Sequence, residues 1–436
     1  MSPKPQTQPI HLPPFANYDC VMCGWCCRQF DITFSEADHR KLAQKDWRAL
    51  VPEIGGQAWC RPTRKRPPKD PWRFVTRPDG SCVFLGDGGG CLMHTHTTEM
   101  GKALACTTFP FTIASTPTGM YAGLRYSCKS VAERVGPPVT ERLEFVQKLA
   151  KRLADEGHSP RYGDTVDYDG ERALAWSDYL KLEDALIATF LRQDMPLTHR
   201  VVMAWRVVSL VDKLDPDRLK GSSFQESLHK IVSRLGEEFP GLDIPKPALK
   251  PREKVMFRQF VSNFHRRADT AYFSLNPLRK ARERARWFFD GVRFAKGSGR
   301  VRLHDTGQPV SLDDVASVRL PPLTAEQDHM LSRFLAGKLF GKQVFGKLFF
   351  GYPFRPGFTF LVLAHASALW LARALALARG RDRVSDDDIA WAIRHVDFCY
   401  NYTKVHAKGT ERMRVATLQK DDSAARLAVA YGDDRA

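Results

Sequence analysis

Four of the ten cysteines of this 436-residue chain fall within one short stretch, "YDCVMCGWCCRQF", as Cys20, Cys23, Cys26 and Cys27. The two overlapping C-x2-C spacings are those at which a tight turn brings a pair of thiolates to one ion. A run of this kind suits tetrahedral zinc and equally an iron–sulfur cluster in which each thiolate takes one iron; spacing alone does not choose between them. Cys27 points away from Cys26 in any regular backbone. The adjacent pair therefore serves two sites, or one site and a structural contact.

Further thiols follow at Cys82, Cys91, Cys106 and Cys128. With the first four they suffice for two four-thiolate sites, or for one site with spare reactive thiols, where ordinary buried cysteines would be scattered. Cys60 sits beside a basic proline-rich stretch and fits either role. His94 and His96 in "CLMHTHTTE" could complete a mixed Cys/His zinc site, although two surface histidines are the simpler reading. "CGWC", Cys23 to Cys26, has the spacing of a thioredoxin-type dithiol, but no preceding strand or βαβ pattern accompanies it and Cys20 and Cys27 crowd it. No C-x3-C-x2-C run of the radical-SAM kind is present in this region. The glycines of "GDGGG", Gly86 to Gly90, lack the Lys-Ser/Thr of a phosphate loop and lead straight into Cys91.

The rest of the chain sets the context for these thiols. The N-terminus, "MSPKPQTQPIHLPPF", is polar and proline-rich, without the apolar core of a secretory signal, so a cytoplasmic location is expected. Thiols stay reduced there, which favours metal binding over disulfides. "FTFLVLAHASALWLARALALA", Phe358 to Ala378, approaches membrane-span length, but His365, Ser367, Arg373 and its alanines favour a buried helix, so no stable membrane insertion is expected. The formal charge is +17, and the stretch from Lys250 to Arg302 holds 15 Lys/Arg against 4 Asp/Glu. Such an excess implies an acidic partner, whether nucleic acid, anionic lipid or an acidic protein, with an acidic protein or nucleic acid expected along Lys250 to Arg302. In that stretch Phe257, Phe260, Phe264, Phe273, Trp287, Phe288 and Phe294 interleave with the cations, as base-stacking residues would. The helical spacing of Phe257, Phe260 and Phe264 favours a core stripe beneath a basic face.

The elements that position the thiols can be read in outline. The fold class expected is a small, irregular α+β cysteine-rich metal-binding domain over residues 15–135, followed by a mainly α-helical domain over 140–420, with a disordered N-terminus (1–14) and a flexible tail (421–436). "FDITFS" reads as a short strand, and Ser35 as the cap of the helix that follows it. Cys60 to Arg73 reads as a basic surface loop. From Thr140 onward Leu143, Val146, Leu149 and Leu153 recur at helical spacing. Three further amphipathic segments are expected to pack on one another. Gly299 to Leu320 is the only strand-like patch of this second part, and Thr324 with Gln327, then Ser385, mark later helix starts.

The run "CVMCGWCCRQFDITFSEADHRKL", followed by "CVFL", "GCLMH" and "CTTFPF", resembles the CxxCxxCC (YkgJ-like) family of zinc- or iron-chelating proteins. The matching residues are Cys20, Cys23, Gly24, Cys26, Cys27, Arg28, Asp38, Cys82, Phe84, Leu85, Cys91, Cys106, Phe109 and Pro110. His94 stands where the family has tyrosine, and Lys102 lies near the position of a usual arginine. The helical remainder is loosely similar to flagellin lysine-N-methylases, by length, order and periodicity. That resemblance implies methyl transfer from S-adenosylmethionine to protein lysines, flagellin among them, with the cysteines holding an iron–sulfur centre. No strand–GxGxxG–helix unit is present to bind the cofactor in the Rossmann manner. No carboxylate pair or Ser/His/Asp set stands out, and catalytic residues are left unassigned.

Overall fold

The computed structural model describes residues 8–63, 70–215, 220–265, 276–303 and 308–434. The chain is mainly helical, with two three-stranded sheets in its first third. Two hydrophobic cores organise it. The smaller gathers Phe34, Trp47, Phe74, Phe84 and Met93 around Cys27 and Cys82. The larger takes in the remaining sheet and the helices of the C-terminal part.

Local chemistry explains the smaller core. The Ser35 hydroxyl accepts the Asp38 N–H at 3.2 Å and starts helix Glu36–Leu42, as its capping pattern predicts. Strand Trp72–Phe74 pairs antiparallel with Thr33–Phe34 on one side and with Cys60–Pro62 on the other. The loop expected over residues 60–73 is thus corrected at both ends. Pro62 is tolerated because its strand is an edge, where a missing N–H breaks no ladder bond. The basic tip at 64–69 lies outside the described residues.

The second sheet joins this module to the helical body. Phe111–Thr116 and Gly119–Leu124 form a hairpin, and Ile10–His11 adds in parallel to its second strand. The N-terminal segment expected to be disordered is therefore placed from residue 8 onward: Met120 N–H donates to Pro9 O at 2.8 Å, and Ile10 and Leu12 pack on the larger core. Residues 1–7 lie outside the description. Gly123 of the hairpin faces Gly341, just past helix Ala325–Phe340, so closely that a methyl on Gly341 would stand 2.8 Å from the Gly123 Cα. Two glycines let sheet and helix touch.

In the body, helix Leu143–Asp155 buries Val146, Leu149 and Leu153, while Leu143, in its first turn, stays exposed. Helices Trp176–Leu191, Leu197–Val211 and Gly221–Glu238 pack mutually, as expected. Capping boxes at Thr324 and Ser385 form as their residues predict. Within the strand-like patch, which the sequence reads as a hairpin or an irregular insertion, Arg300–Arg302 and Pro309–Ser311 pair antiparallel. A second hairpin, Thr165–Asp167 with Ala173–Ala175, corrects the reading of Gly299 to Leu320 as the only strand-like patch of this part. Its turn is fixed by Asp167 and Asp169, which accept the backbone N–H groups of Gly170 and Arg172.

Helix Phe354–Ala378 is long and apolar enough to cross a membrane, yet 94% of its most apolar window is buried inside the protein. It packs on Asp386–Tyr402, on Ser423–Ala430 and on Pro251–His265, where Phe257, Phe260 and Phe264 are buried as a core stripe. The flexible tail expected from residue 421 is corrected. Helix Ser423–Ala430 buries Ala424, Leu427 and Ala428, and Arg373 donates to the carbonyls of Tyr431 and Gly432 at 2.8 and 2.7 Å. Residues 435–436 lie outside the description.

Candidate functional site

The "CVMCGWCC" run turns sharply before it becomes helical. Met22 and Gly24 both take positive φ, 49° and 66°. A methyl on Gly24 would come within 2.7 Å of Gly89 O and of a Leu85 methyl, so glycine allows this turn to press against the "GDGGG" loop. Helix Trp25–Gln29 follows, only five residues long, and carries Cys26 and Cys27. Such a short helix lacks the scaffold of a thioredoxin-type dithiol.

The other thiols are carried to the same place by separate elements. Cys82 N–H donates to Cys27 O at 2.8 Å, and Leu92 N–H donates to Phe84 O at 2.8 Å, closing the loop that ends in Cys91. Cys91 immediately precedes helix Leu92–His96. Cys106 lies on helix Leu104–Thr108, anchored where Leu104 N–H donates to Asp38 Oδ2 at 2.8 Å. Cys128 follows the hairpin and precedes helix Lys129–Ala132.

Together these elements surround a cavity of about 500 Å³ lined by Cys20, Cys23, Cys26, Cys27, Cys91, Cys106 and Cys128. Trp25, Phe30, Phe109 and Tyr402 form an aromatic wall, and His94, Lys102 and Arg125 also face it. Cys82 lies behind the wall in the small core, electrostatically close to Cys91 and Cys26. Cys60 sits apart on the small sheet, opposite Phe74, and Cys399 is buried in the helical body beside Phe264 O. His96 does not line the cavity. All ten cysteines are free thiols.

The thiols influence one another strongly. Against the expectation that Cys27 points away from Cys26, the Cys27 thiol is hydrogen-bonded with the Cys26 and Cys91 sulfurs, and this bonding together with burial pushes its own pKa far up. The same bond brings Cys91 down to about 6 and lowers Cys26. Burial raises Cys128 and Cys82 to about 12, Cys106 well above the ordinary thiol value, and Cys20 less far. Lys102 is the cation that opposes the raised values of Cys20 and Cys106 and further lowers Cys26 and Cys91. Two neighbourhoods emerge. Cys27, Cys82, Cys91 and Cys106 lie together, Cys20, Cys23 and Cys128 lie together, and Cys26 is close to both groups. Among the described residues, no three His, Cys, Asp or Glu side chains close on a single point as a finished ion site.

Sequence reasoning found these thiols but missed the residues that hold them. Arg152 pairs with the buried Asp38, and Arg142 donates to both Glu99 oxygens at 2.8 and 2.6 Å, tying the cysteine module to helix Leu143–Asp155 and the turn before it. The sequence marks Asp38 through the family pattern and through its place three residues after the Ser35 cap. Nothing in the sequence marked its partner. No protein-family model, curated protein or solved structure matches the chain.

Proposed function

We propose that the cavity is a thiolate metal centre, with Cys20, Cys23, Cys26, Cys27, Cys82, Cys91, Cys106 and Cys128 as the ligands of zinc or of an iron–sulfur cluster. The observation that carries this reading is convergence. Seven cysteines from four separate segments line one cavity beside Lys102, and Cys82 lies close to Cys91 and Cys26 in the adjoining core, while Cys60 and Cys399 stand away from it. The donor set fits a thiophilic metal, because deprotonated sulfur is the ligand both groups need and the surroundings of Cys26 and Cys91 shift them toward that form. Cys26 is close to both groups of thiols, so the set suits either one centre or two four-thiolate centres that divide at the Cys26–Cys27 peptide bond. Anaerobic purification followed by metal analysis and an absorption spectrum tests the proposal. Iron with acid-labile sulfide and broad visible absorbance identifies a cluster, zinc alone identifies a closed structural site, and no metal overturns the reading.

A second reading is favoured by the room left beyond the thiols. The aromatic wall of Trp25, Phe30, Phe109 and Tyr402 is more than a structural metal needs, and it suits a cofactor with a flat ring. S-adenosylmethionine, when bound, supplies an electrophilic methyl group, and the activity would be protein-lysine methylation. Mass spectrometry of flagellin incubated with the protein and S-adenosylmethionine tests it. An unchanged lysine mass removes this activity for that substrate.

A further inference from the structure

Helix Pro277–Lys296 is well built at both ends: the Asn276 side chain accepts the Arg279 N–H at 2.9 Å, and Gly297 closes it with φ 78°. At 20 residues it is about 30 Å long. One face is docked through Asp290 and Phe294, with Phe294 packed on Trp370 and Asp290 bonded to His265. The opposite face is also apolar. Leu278, Phe288, Phe289 and Val292 fall, with Ala285, within an arc of about 100° at 100° per residue, and the four are 84%, 65%, 58% and 39% exposed. Arg279, Arg282, Arg286 and Arg293 run along one flank of that arc. A soluble surface normally spends its exposed helix face on polar residues, so this apolar, arginine-flanked ridge marks a binding surface.

Beside the ridge lies a depression of about 690 Å³ whose walls include Phe288, Val292, Lys296, Lys408, Thr410 and Asn263. Asn263 is 4% exposed, and its Nδ2 has no hydrogen-bond partner. A buried amide donor beside two lysines suits an oxyanion. Glu411, which also lines the depression, is paired with Arg414.

We propose that this ridge and depression dock the protein on an anionic phospholipid surface, Phe288, Phe289 and Leu278 entering the acyl boundary while Asn263, Lys296 and Lys408 take a headgroup phosphate. A lipid offers both halves of this chemistry side by side. A second copy of the chain would oppose like charges, and nucleic acid would leave Leu278 and Val292 in water. The ridge is convex, and a bilayer yields to it without a preformed groove. The docking is peripheral and independent of the metal reading.

Co-sedimentation with vesicles tests it. Vesicles of phosphatidylcholine with about 30% phosphatidylglycerol are expected to bind the protein at least ~10-fold more tightly than phosphatidylcholine alone, with the difference shrinking as salt rises. Phe288→Ser with Phe289→Ser alters only exposed side chains and is expected to weaken binding about 10-fold or more at an unchanged melting temperature. Lys296→Gln with Lys408→Gln is expected to erase most of the preference for anionic vesicles, at about fivefold per charge. Equal binding of both vesicle types, or wild-type binding by the double serine variant, overturns the proposal. So does saturable binding of inorganic phosphate by a protein that binds neither vesicle type, which would mark a free-phosphate site. Binding to single-stranded RNA or polyglutamate without binding to vesicles, or a dimer dissociated by the serine pair, overturns it as well.

Discussion

Asp397, deep in helix Asp386–Tyr402, accepts the backbone N–H of Ser127 at 2.8 Å, one residue before Cys128. Its other oxygen pairs with Lys338, and both side chains are fully buried. A charge in the C-terminal body thus fixes the backbone that presents a cysteine to the cavity. Burial lowers Lys338 to about 8, which shows how much its charge depends on this one carboxylate. Asp397→Leu is expected to cost about 3–5 kcal/mol, because it leaves the lysine buried and unpaired. Asp397→Asn keeps an acceptor for Ser127 and should disturb the cavity less. Urea unfolding of both variants, with metal content measured in parallel, checks the order.

The Asp38 carboxylate does similar work within the cysteine module. It is 2% exposed, accepts from Leu104 N–H and pairs with Arg152. Asp38→Ala removes the anchor of the Cys106 helix and one of the two carboxylates on a largely buried guanidinium that keeps Glu156, an expected loss of about 2 kcal/mol. Arg152→Met with Asp38→Asn, which removes both charges, is expected to be milder than Asp38→Ala alone. A double-mutant cycle in urea measures the coupling.

Acid should unfold this protein through two buried histidines. Burial lowers His365 to about 4 and His406 to about 3, so both stay neutral in the folded state to well below the pH at which an unfolded histidine takes up its proton. The unfolded chain then binds more protons, and stability falls as pH drops from about 6.5 toward 4, by about 2 kcal/mol per histidine at pH 5. His406 packs on Phe360 and Phe264, which makes phenylalanine a reasonable replacement. His406→Phe should flatten the loss between pH 8 and pH 5. Denaturant unfolding at both values reads the difference, and an unchanged slope would remove the histidine from the account.

What the sequence revealed follows the range of the interactions. Ser35, Thr324 and Ser385 announced their helices because a cap is a contact across three residues. Phe257, Phe260 and Phe264 announced a buried stripe by spacing alone. The cysteines were visible by type, and their separation from Cys60 was not, since only folding places Cys60 opposite Phe74. Strands of two or three residues, such as Ile10–His11 and Thr165–Asp167, are too short to show a period of two. The tail helix was hidden by its acidic start at Asp421 and Asp422, although "SAARLAVA" carries helical spacing. The bond from Ser127 to Asp397 spans 270 positions, and nothing local encodes it.

Whether the thiols divide at the Cys26–Cys27 bond is decided by stoichiometry. Cys27 is buried in the small core and bonded toward Cys91, whereas Cys20 and Cys23 are exposed and Cys128 senses Cys26 and Cys23. If the thiols form two centres, Cys27→Ser and Cys20→Ser should each remove about half of the metal and the double variant nearly all of it, because serine is a poor substitute for a thiolate ligand. If they form one, either single variant removes nearly all. Cys27→Ser should also lower the melting temperature more than Cys20→Ser, since it perturbs a packed core position. Cys60→Ser, outside the cavity, should leave the metal content unchanged, which controls for general damage. Metal per chain by mass spectrometry on the four variants separates these outcomes, and a loss in Cys60→Ser equal to that in Cys27→Ser would show that the assigned ligand set is wrong.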